Sequence, residues 1–266
     1  MFNRFRFKKI CRDIKSIKIQ GATNVAKAAL KAYYLYPNSV TKRILIHLRS
    51  TEPMLTHVLE LADKQPKQKI LNHFLEAQKK INKIVFKLIK NNSKIFTHCH
   101  STNVTHALIY AKKHGKHFEV YNTETRPLFQ GRKTALELSK AGIKVTTFVD
   151  SGARIALKEA DLVLLGADAL LKNSVINKVG SGMISEIAFD NKIPVYIVAD
   201  SWKHSSKNVI LEERDFHEVW SPKTNKIHVE NPAFEPIPIK YIKAIVSELG
   251  LMSYKKFLIK VRERRY

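Results

Sequence analysis

A cysteine and three aspartates stand where short apolar segments end, and these residues could handle protons. Cys99 lies in Thr-His-Cys-His-Ser, residues 97–101, directly after an apolar run. Asp168 ends the most apolar run, while Asp150 and Asp200 end two others. A cysteine in such a place can become a reactive thiolate, and a desolvated carboxyl group can hold a proton near neutrality.

The local sequence favours a reactive thiol at Cys99. A helical pattern follows it, and the positive end of a helix together with nearby backbone N–H groups lowers a thiol pKa. The sequence therefore predicts a lowered pKa. His98 and His100 flank the cysteine, but adjacent residues often point in different directions. A buried, inert cysteine is the alternative. A metal site is disfavoured because His-Cys-His lacks the usual ligand spacing.

The three aspartates compete for the role of proton donor. Asp168 follows Leu-Val-Leu-Leu-Gly-Ala, so desolvation is expected to raise its pKa. Its alternative role is capping the next segment. Asp150 and Asp200 remain candidates, because sequence spacing does not choose among the three.

Two glycine-containing segments could bind an anion. Residues 175–182 place Gly, Ser and Lys178 before a helical pattern at 183–189, an arrangement that suits a phosphate. It is neither a Walker motif nor a complete dinucleotide fingerprint. Gly21-Ala22-Thr23 opens another predicted helix and could act likewise. An ordinary turn at the start of a helix is the alternative in both places.

Five apolar runs, each ending in polar residues, would position these groups. Helical patterns lie between the runs, which is typical of a parallel α/β sheet with its active groups at the carboxyl ends of the strands. The runs are residues 95–101, 120–126, 145–150, 162–168 and 194–200. A cysteine and an aspartate at two such ends can be close in space while distant in sequence.

The chain before residue 93 is predicted to be helical. Residues 13–92 contain helical periodicity, which is strongest in the segments 22–36, 55–63 and 70–90. Asn91-Asn92-Ser93 marks a break. We therefore predict an α/β protein, with an N-terminal helical domain at 1–92 and a Rossmann-like parallel α/β catalytic domain at 93–266.

Near the C-terminus, a proline-containing segment at 231–238 is expected to lead to another strand at 241–246. The basic residues 255–266 are expected to form a solvated helix or tail.

Composition excludes several classes of protein. No apolar run approaches the roughly 20 residues that a membrane span needs, and the basic N-terminus lacks the apolar core of a secretory signal. Because Cys11 and Cys99 are its only cysteines, we expect no disulfide framework. We expect a cytoplasmic location. The net charge of +24 attracts polyanions and phosphorylated molecules, but the lysines are spread along the chain and identify no partner.

Taken together, the motifs resemble a superfamily that contains the isomerases of ribose 1,5-bisphosphate and methylthioribose 1-phosphate. It also contains the alpha, beta and delta subunits of translation initiation factor two-B. The resemblance spans residues 14–251, and the motifs at 97–101 and 123–127 look most like the archaeal ribose 1,5-bisphosphate isomerase. The segments that carry it are 17–22, 97–101, 123–127, 166–168, 176–180 and 231–234.

This resemblance implies a catalytic pair, Cys99 and Asp168. The isomerases keep both residues, whereas the factor alpha subunits generally lack them. It implies no metal and no cofactor. It also implies that the substrate is contacted by Gln20, Gly21, Ala22, Thr23, Arg49, Ser101, Thr102, Asn103, Asn177, Lys178 and Lys203.

The implied reaction converts ribose 1,5-bisphosphate to ribulose 1,5-bisphosphate in nucleotide salvage. Asp168 would protonate the ring oxygen, and Cys99 would move a proton from C2 to C1. The resemblance further implies a homo-oligomer, a dimer or hexamer, and activation by AMP.

Several residues depart from the family pattern. Gln20 and Asn24 stand where isomerases usually carry arginine, which removes a bidentate phosphate clamp, and Met252-Ser253 replaces the usual Pro-Pro. A non-catalytic regulatory subunit of the initiation-factor type and a methylthioribose-1-phosphate isomerase therefore stay as alternatives. A role in binding nucleic acid rests on charge alone and is disfavoured.

Overall fold

The computed structural model describes residues 2–49 and 51–263, and its N-terminal part is helical. The helical periodicity predicted α2, α4 and α5 to within three residues at each end. Helix α3 was not predicted; Asn38 begins it by accepting a hydrogen bond from the Thr41 N–H. The helices are α1 (Phe2–Lys15), α2 (Ala22–Tyr33), α3 (Ser39–His47), α4 (Pro53–Leu61) and α5 (Lys67–Leu88).

Strands and helices alternate after Ser93, as the sequence predicted. All five apolar runs contain strands, and the expected strand near residue 241 is present at 244–247. The elements are β1 (Ser93–Thr97), α6 (Thr102–Lys113), β2 (Phe118–Thr123), α7 (Gln130–Lys140), β3 (Lys144–Phe148), α8 (Ala153–Leu157), β4 (Leu162–Leu165), β5 (Ala169–Leu170), β6 (Ser174–Lys178), α9 (Ser181–Asp190), β7 (Val195–Val198), β8 (Phe234–Pro238), β9 (Ala244–Ser247), β10 (Gly250–Met252) and α10 (Tyr254–Glu263).

Seven strands form the main sheet, in the order β10-β9-β7-β4-β1-β2-β3. Every neighbouring pair is parallel except β9 with β10. The order of the strands reverses between β1 and β4, because β2 lies on one side of β1 and β4 on the other. In open α/β sheets, ligands bind outside the carboxyl ends of the strands at such a switch point.

A second, antiparallel sheet of β5, β6 and β8 was not predicted. From the sequence, no strand was predicted at residues 175–178, which were placed before a helix, or at residues 231–238, which were placed in a segment leading to a strand. Val175 instead pairs with Ile237, and both side chains are fully buried. Pro236 and Pro238 argued against a strand in the sequence, because proline lacks a backbone N–H. β8 is an edge strand, where proline is tolerated.

Helix α5 packs against the sheet as well as against the helical part. Ile81 and Val85 belong to the same buried cluster as Ile95 and Val120 of the sheet. The division into domains at 1–92 and 93–266 stays a prediction. No helix among the described residues is long and apolar enough to cross a membrane.

The basic C-terminal segment is not simply solvated. Residues 254–263 form α10, and Tyr254 and Phe257 are buried in the core beneath the sheet. Tyr254 and Phe257 face inward at helical spacing while Lys255 and Lys256 are exposed, so the helix is amphipathic despite its basic sequence. The last part of this prediction, residues 264–266, lies outside the described residues.

Candidate functional site

A cleft opens at the switch point, beside the carboxyl ends of β1 and β4. Its volume is about 850 Å³, including the solvent in its open mouth. Every residue that the resemblance assigned to catalysis or to substrate contact lines this cleft. These residues are Gln20, Gly21, Ala22, Thr23, Arg49, Cys99, Ser101, Thr102, Asn103, Asp168, Asn177, Lys178 and Lys203.

The floor of the cleft depends on a close approach between two chain segments. A Cβ atom at Gly166, just after β4, would lie 2.6 Å from both Cβ and Oγ of Ser101, just after β1. Only glycine fits there without a shift of the neighbouring backbone. The absent side chain therefore lets the segment carrying Cys99 and the one carrying Asp168 meet in one cleft.

Two helix N-termini face this cleft. Gly21 begins α2 with a positive φ of 82°, and Ser101 begins α6; neither residue caps its helix with a side-chain hydrogen bond. A Cβ atom at Gly21 would lie 4.0 Å from Oγ1 of Thr102. The first turns of both helices thus lie at the same place, where backbone N–H groups and helix dipoles favour an anion.

Hydrogen bonds fix the backbone of Cys99 in a left-handed conformation, with φ at 63°. Its N–H donates to Thr125 Oγ1 at 3.0 Å, and its carbonyl accepts from Thr134 Oγ1 at 2.8 Å. Part of the residue is exposed to the cleft, but dense protein surrounds the thiol. Burial raises the pKa of Cys99 to about 12, and the Lys178 ammonium opposes this shift. The predicted lowering of this pKa was wrong, because desolvation outweighs both the Lys178 charge and the hydrogen bond from the His100 backbone N–H.

The histidines beside Cys99 hold the loop in place. His98 Nε2 donates to the Val179 carbonyl at 2.9 Å, and its Nδ1 lies 2.5 Å from Thr123 Oγ1. His100 Nδ1 contacts Thr134 Oγ1 at 3.0 Å. Burial lowers the pKa of both, that of His100 to about 4. Neutral and already bonded, they are poorly suited to deprotonate the thiol.

Of the three aspartates, Asp168 is the one that lines the cleft. Burial raises the pKa of Asp168, as predicted, against the opposing charges of Lys203 and then Arg49. Asp150 instead accepts from two backbone N–H groups, of Thr125 and Arg126, at 2.8 and 2.6 Å. Its role is to hold the turn after β2.

Asp200 joins the turn after β7 to helix α5. Its carboxylate lies 3.1 Å from His73 Nε2 and accepts from the Trp202 N–H at 2.9 Å. His73, Asp200 and Glu248 have spacing suited to a metal, and among the described residues no other such group of three is found. Glu248 already accepts from the backbone N–H of Ser201, at 3.0 Å, so hydrogen bonds within the protein account for this cluster.

Two buried lysines bring positive charge to the cleft. Lys203 Nζ donates to the Ala167 carbonyl at 2.6 Å, next to Asp168, and burial lowers the pKa of Lys203. Lys178 ends β6 and is 6% exposed. These cations stand beside the two groups that would exchange protons.

The expected phosphate site at the start of α9 is filled by the protein itself. The N–H of Gly182 donates to Glu235 Oε1 at 2.6 Å. Ser181 Oγ donates to the Lys178 carbonyl at 2.6 Å and accepts from Asn177 Nδ2 at 2.9 Å. Gly182 and Ser181 are therefore engaged internally, and phosphate binding by this motif stays a prediction.

A row of charged residues lies on one side of the cleft, and Arg49 is the one member that was predicted from the sequence. Arg49 Nη2 lies 2.9 Å from Glu52, and Arg49 Nε lies 3.2 Å from Glu212. Arg214 contacts Glu212 at 2.9 Å on one edge and Glu218 on the other. Periodicity gave no signal for this row, because residues 212–218 have no helical or strand pattern.

Glu52 is the most deeply buried acid of the row, with no exposed side-chain area. Burial raises its pKa to about 7; the Arg49 guanidinium opposes the shift and the Asp168 charge adds to it. A carboxyl group that titrates near neutrality thus lies in the same cleft as Asp168.

Sequence comparison identifies relatives along most of the chain. The model of the Initiation factor 2 subunit family matches residues 39–254. A ribose 1,5-bisphosphate isomerase of Methanocaldococcus jannaschii is 34% identical, covering 92% of this chain and 91% of the relative. A Pyrococcus furiosus protein named translation initiation factor eIF-2B subunit 2-like is 30% identical, covering 92% of this chain and 95% of its own length.

Solved structures share the fold. Pyrococcus horikoshii translation initiation factor eIF-2B superposes with a TM-score of 0.82 at 25% identity, covering 93% of this chain and 97% of that one. The 5-methylthioribose 1-phosphate isomerase of the same organism superposes with a TM-score of 0.77 at 21% identity, covering 97% and 87%. At that identity the second similarity indicates the fold alone.

Proposed function

Since the chain belongs to the Initiation factor 2 subunit family, we propose that it is an aldose–ketose isomerase converting ribose 1,5-bisphosphate to ribulose 1,5-bisphosphate. The observation that carries this proposal is the placement of Cys99 and Asp168 in one cleft, at the carboxyl ends of two adjacent strands. Relatives named for this reaction align over most of the chain.

Phosphate groups would find two kinds of partner in this cleft. The uncapped N-termini of α2 and α6 offer backbone N–H groups from residues 21–23 and 101–103. Arg49, Lys178 and Lys203 offer positive charge in poorly solvated positions, where a charge-assisted hydrogen bond is strong. The C5 and C1 phosphates can therefore be held while the sugar lies over the floor.

The reaction needs two proton shuttles. The protonated Asp168 gives its proton to the ring oxygen, and the bond between C1 and that oxygen breaks. Cys99, as thiolate, takes the proton from C2, leaving an enol between C1 and C2. Cys99 then returns that proton to C1, and the Asp168 carboxylate takes the proton of the C2 hydroxyl as the ketone forms. Both groups end in their starting states.

Burial favours the neutral form of both groups, which suits Asp168 but not Cys99. The thiolate that removes the C2 proton is a minor species near neutral pH, stabilised by Lys178. A desolvated thiolate is also a stronger base once formed. We expect the rate to rise with pH until loss of the Asp168 proton opposes the gain.

The first test is a direct assay of the purified protein with ribose 1,5-bisphosphate, with and without AMP. We expect the wild type to form ribulose 1,5-bisphosphate. The Cys99→Ser and Asp168→Asn variants should each lose about 10³-fold or more in kcat, since each removes a proton shuttle. Circular dichroism should show that both variants stay folded. Full activity in either variant would remove that residue from the mechanism.

A non-catalytic regulatory role is the second candidate. Its support is the similarity to the eIF-2B subunit 2-like protein, together with Gln20 in place of the usual arginine. Failure of the folded wild type to convert ribose 1,5-bisphosphate or methylthioribose 1-phosphate would favour this role.

We also propose that the protein is a homo-oligomer. Phe216, Val219 and Trp220 are large apolar residues exposed on one short segment, and such patches mark interaction surfaces. Sedimentation would distinguish a dimer from a hexamer. Activation by AMP and a cytoplasmic location stay predictions; the free thiols of Cys11 and Cys99 are in keeping with that location.

A further inference from the structure

The charged row beside the cleft alternates in sign. Its order in space is Glu52, Arg49, Glu212, Arg214 and Glu218. The carboxylate of Glu212 stands between the two guanidinium groups. One oxygen lies 3.2 Å from Arg49 Nε and the other 2.9 Å from Arg214 Nη1.

The guanidinium of Arg49 is buried but poorly satisfied. Its side chain is 7% exposed, and its contacts with Glu52 and Glu212 are ion pairs by distance that lack hydrogen-bond alignment. Among the described residues, Nε and Nη1 have no hydrogen-bond partner. Leaving buried donors of a charged group unpaired is costly, so this arginine stands ready for a better-aligned anion.

Arg214 is held more firmly and from the opposite side. Glu218 contacts its Nε and Nη2, leaving the Nη1 edge toward Glu212. Arg214 also lines the cleft. Its guanidinium is therefore already oriented, and the group it faces, Glu212, is 21% exposed and can turn toward solvent.

A carboxylate between two arginines occupies a place that a phosphate would fit. Guanidinium groups bind both anions through paired N–H donors, and a phosphate brings more charge and a third acceptor oxygen. Gln20 lines the N-terminal side of the cleft and carries no charge, so a guanidinium for a phosphate does not come from that position.

We propose that Arg49 and Arg214 form a phosphate subsite, in which the Glu212 carboxylate holds the phosphate's place in the free protein and is displaced by the substrate. Arg214 thus supplies from residues 212–218 the guanidinium that Gln20 does not. The inference rests on the proposed function for the identity of the phosphate's carrier, a sugar phosphate, but not for the binding of phosphate itself.

Direct binding of inorganic phosphate to the full-length protein tests the subsite without any turnover. By calorimetry, Glu212→Gln should bind phosphate about tenfold more tightly than the wild type, because the internal competitor loses its charge. Arg214→Gln should bind about tenfold more weakly, the range of one charge-assisted hydrogen bond. Glu213→Gln is the matched control, since Glu213 is exposed and adjacent in sequence, and its affinity should equal that of the wild type.

The direction of change decides the outcome. Unchanged affinity in Arg214→Gln, or weaker binding in Glu212→Gln, would overturn the subsite. Arg214→Lys, which keeps the charge but not the fork, should recover only part of the affinity. Thermal melting of each variant separates lost binding from lost folding, and Glu212→Gln predicts a gain that a damaged fold would not produce.

Turnover assays on the same variants keep the two proposals distinguishable. In an active isomerase, Arg214→Gln should raise KM for ribose 1,5-bisphosphate more than it lowers kcat. If the wild type is inactive while the phosphate pattern holds, the isomerase proposal fails and the subsite stands. If the wild type is active while Arg214→Gln and Glu212→Gln leave phosphate affinity unchanged, the subsite fails and the isomerase proposal stands.

Discussion

The floor and the side wall of the cleft are built in different ways. The floor consists of residues 97–101 and 166–168, at the ends of adjacent parallel strands, and burial raises the pKa of both its reactive groups, Cys99 and Asp168. The wall consists of Arg49, Thr51, Glu52 and residues 212–218, and Arg49, Glu52, Glu212, Arg214 and Glu218 form ion pairs with one another. A hydrogen bond of 2.6 Å from Thr51 Oγ1 to the Ile210 carbonyl fastens its two segments.

This difference separates two demands on a phosphorylated sugar. Moving protons requires groups whose neutral and charged forms are both accessible; on the floor, desolvation favours the neutral forms of Cys99 and Asp168, and the Lys178 charge favours the thiolate. Holding phosphate requires fixed cations, and on the wall their charge is balanced by carboxylates. Glu52 shares properties of both parts: it lies in the wall, but burial raises its pKa as it does for the groups of the floor.

The largest effect is expected from Glu52→Gln, which removes the buried carboxyl group of the wall and with it a pH dependence of stability. The folded pKa of about 7 exceeds the ordinary value of 4.5, so the folded state binds an extra proton between these values. That stabilisation is complete below about pH 4.5 and is lost as the pH rises through 7. Relative to the variant, the free energy of unfolding of the wild type should fall by about 3 kcal/mol over that range.

Denaturant unfolding at a series of pH values measures this effect. Glu213→Gln again serves as the control, because it removes one carboxylate from an exposed position. Parallel pH profiles of wild type and Glu52→Gln would mean that the pKa of Glu52 is the same in the folded and unfolded protein, with the Arg49 charge offsetting burial.

A slightly smaller effect is expected from Gly166→Ala, which disturbs the floor alone. The new methyl group would lie 2.6 Å from the side chain of Ser101 and must push the start of α6 away from β4. A displacement of about 1 Å in a reacting group can cost about 10²-fold in rate, so kcat/KM should fall by about that factor.

Gly152→Ala is the matched control for that substitution. Its added methyl group would meet atoms no closer than 3.5 Å, and its φ of −82° is ordinary for alanine. Phosphate affinity at the wall should not change in either variant. A Gly166→Ala protein with full activity would show that the floor tolerates a wider separation of its two strands.

The smallest effect is expected from substitution of Lys178, which tests whether this residue acts on the Cys99 pKa or binds substrate. Its ammonium group lowers the pKa of Cys99 against the larger effect of burial. In Lys178→Met the rise of kcat/KM with pH should therefore move to higher pH, with a loss of several-fold near neutrality. Lys172→Met, at an exposed position, is the control. A uniformly lower rate with an unmoved profile would assign Lys178 to substrate binding only.

The floor could be predicted from sequence because local signals encode it. Apolar runs that end in polar residues mark strand ends, and parallel strands bring those ends together, so pattern and topology predict a cysteine and an aspartate at one edge of the sheet. The choice of Asp168 among the three aspartates came from the family resemblance. The direction of the Cys99 pKa shift could not be predicted in this way. It depends on how densely distant segments pack around the thiol, and Lys178 comes from a strand that was not recognised.

The wall could not be predicted for a related reason. Glu212 and Arg214 lie in a segment without periodicity, and their partner Arg49 is far away in the chain. Asp150 and Asp200 looked equivalent to Asp168 in sequence, yet their carboxylates are bound by backbone N–H groups. Only three-dimensional structure distinguishes a bonded carboxylate from one that faces a cleft.

The strand order also bears on how the chain assembles during its synthesis. Beginning with β1, each later strand of the main sheet pairs with one edge of the strands that precede it in the chain: β2 and β3 on one side, then β4, β7, β9 and β10 on the other. No strand must be inserted between two that are already paired. A nascent chain leaving the ribosome can therefore extend the sheet outward in the order of translation, and residues 97–101 and 166–168 can meet before residues 212–218 have been made.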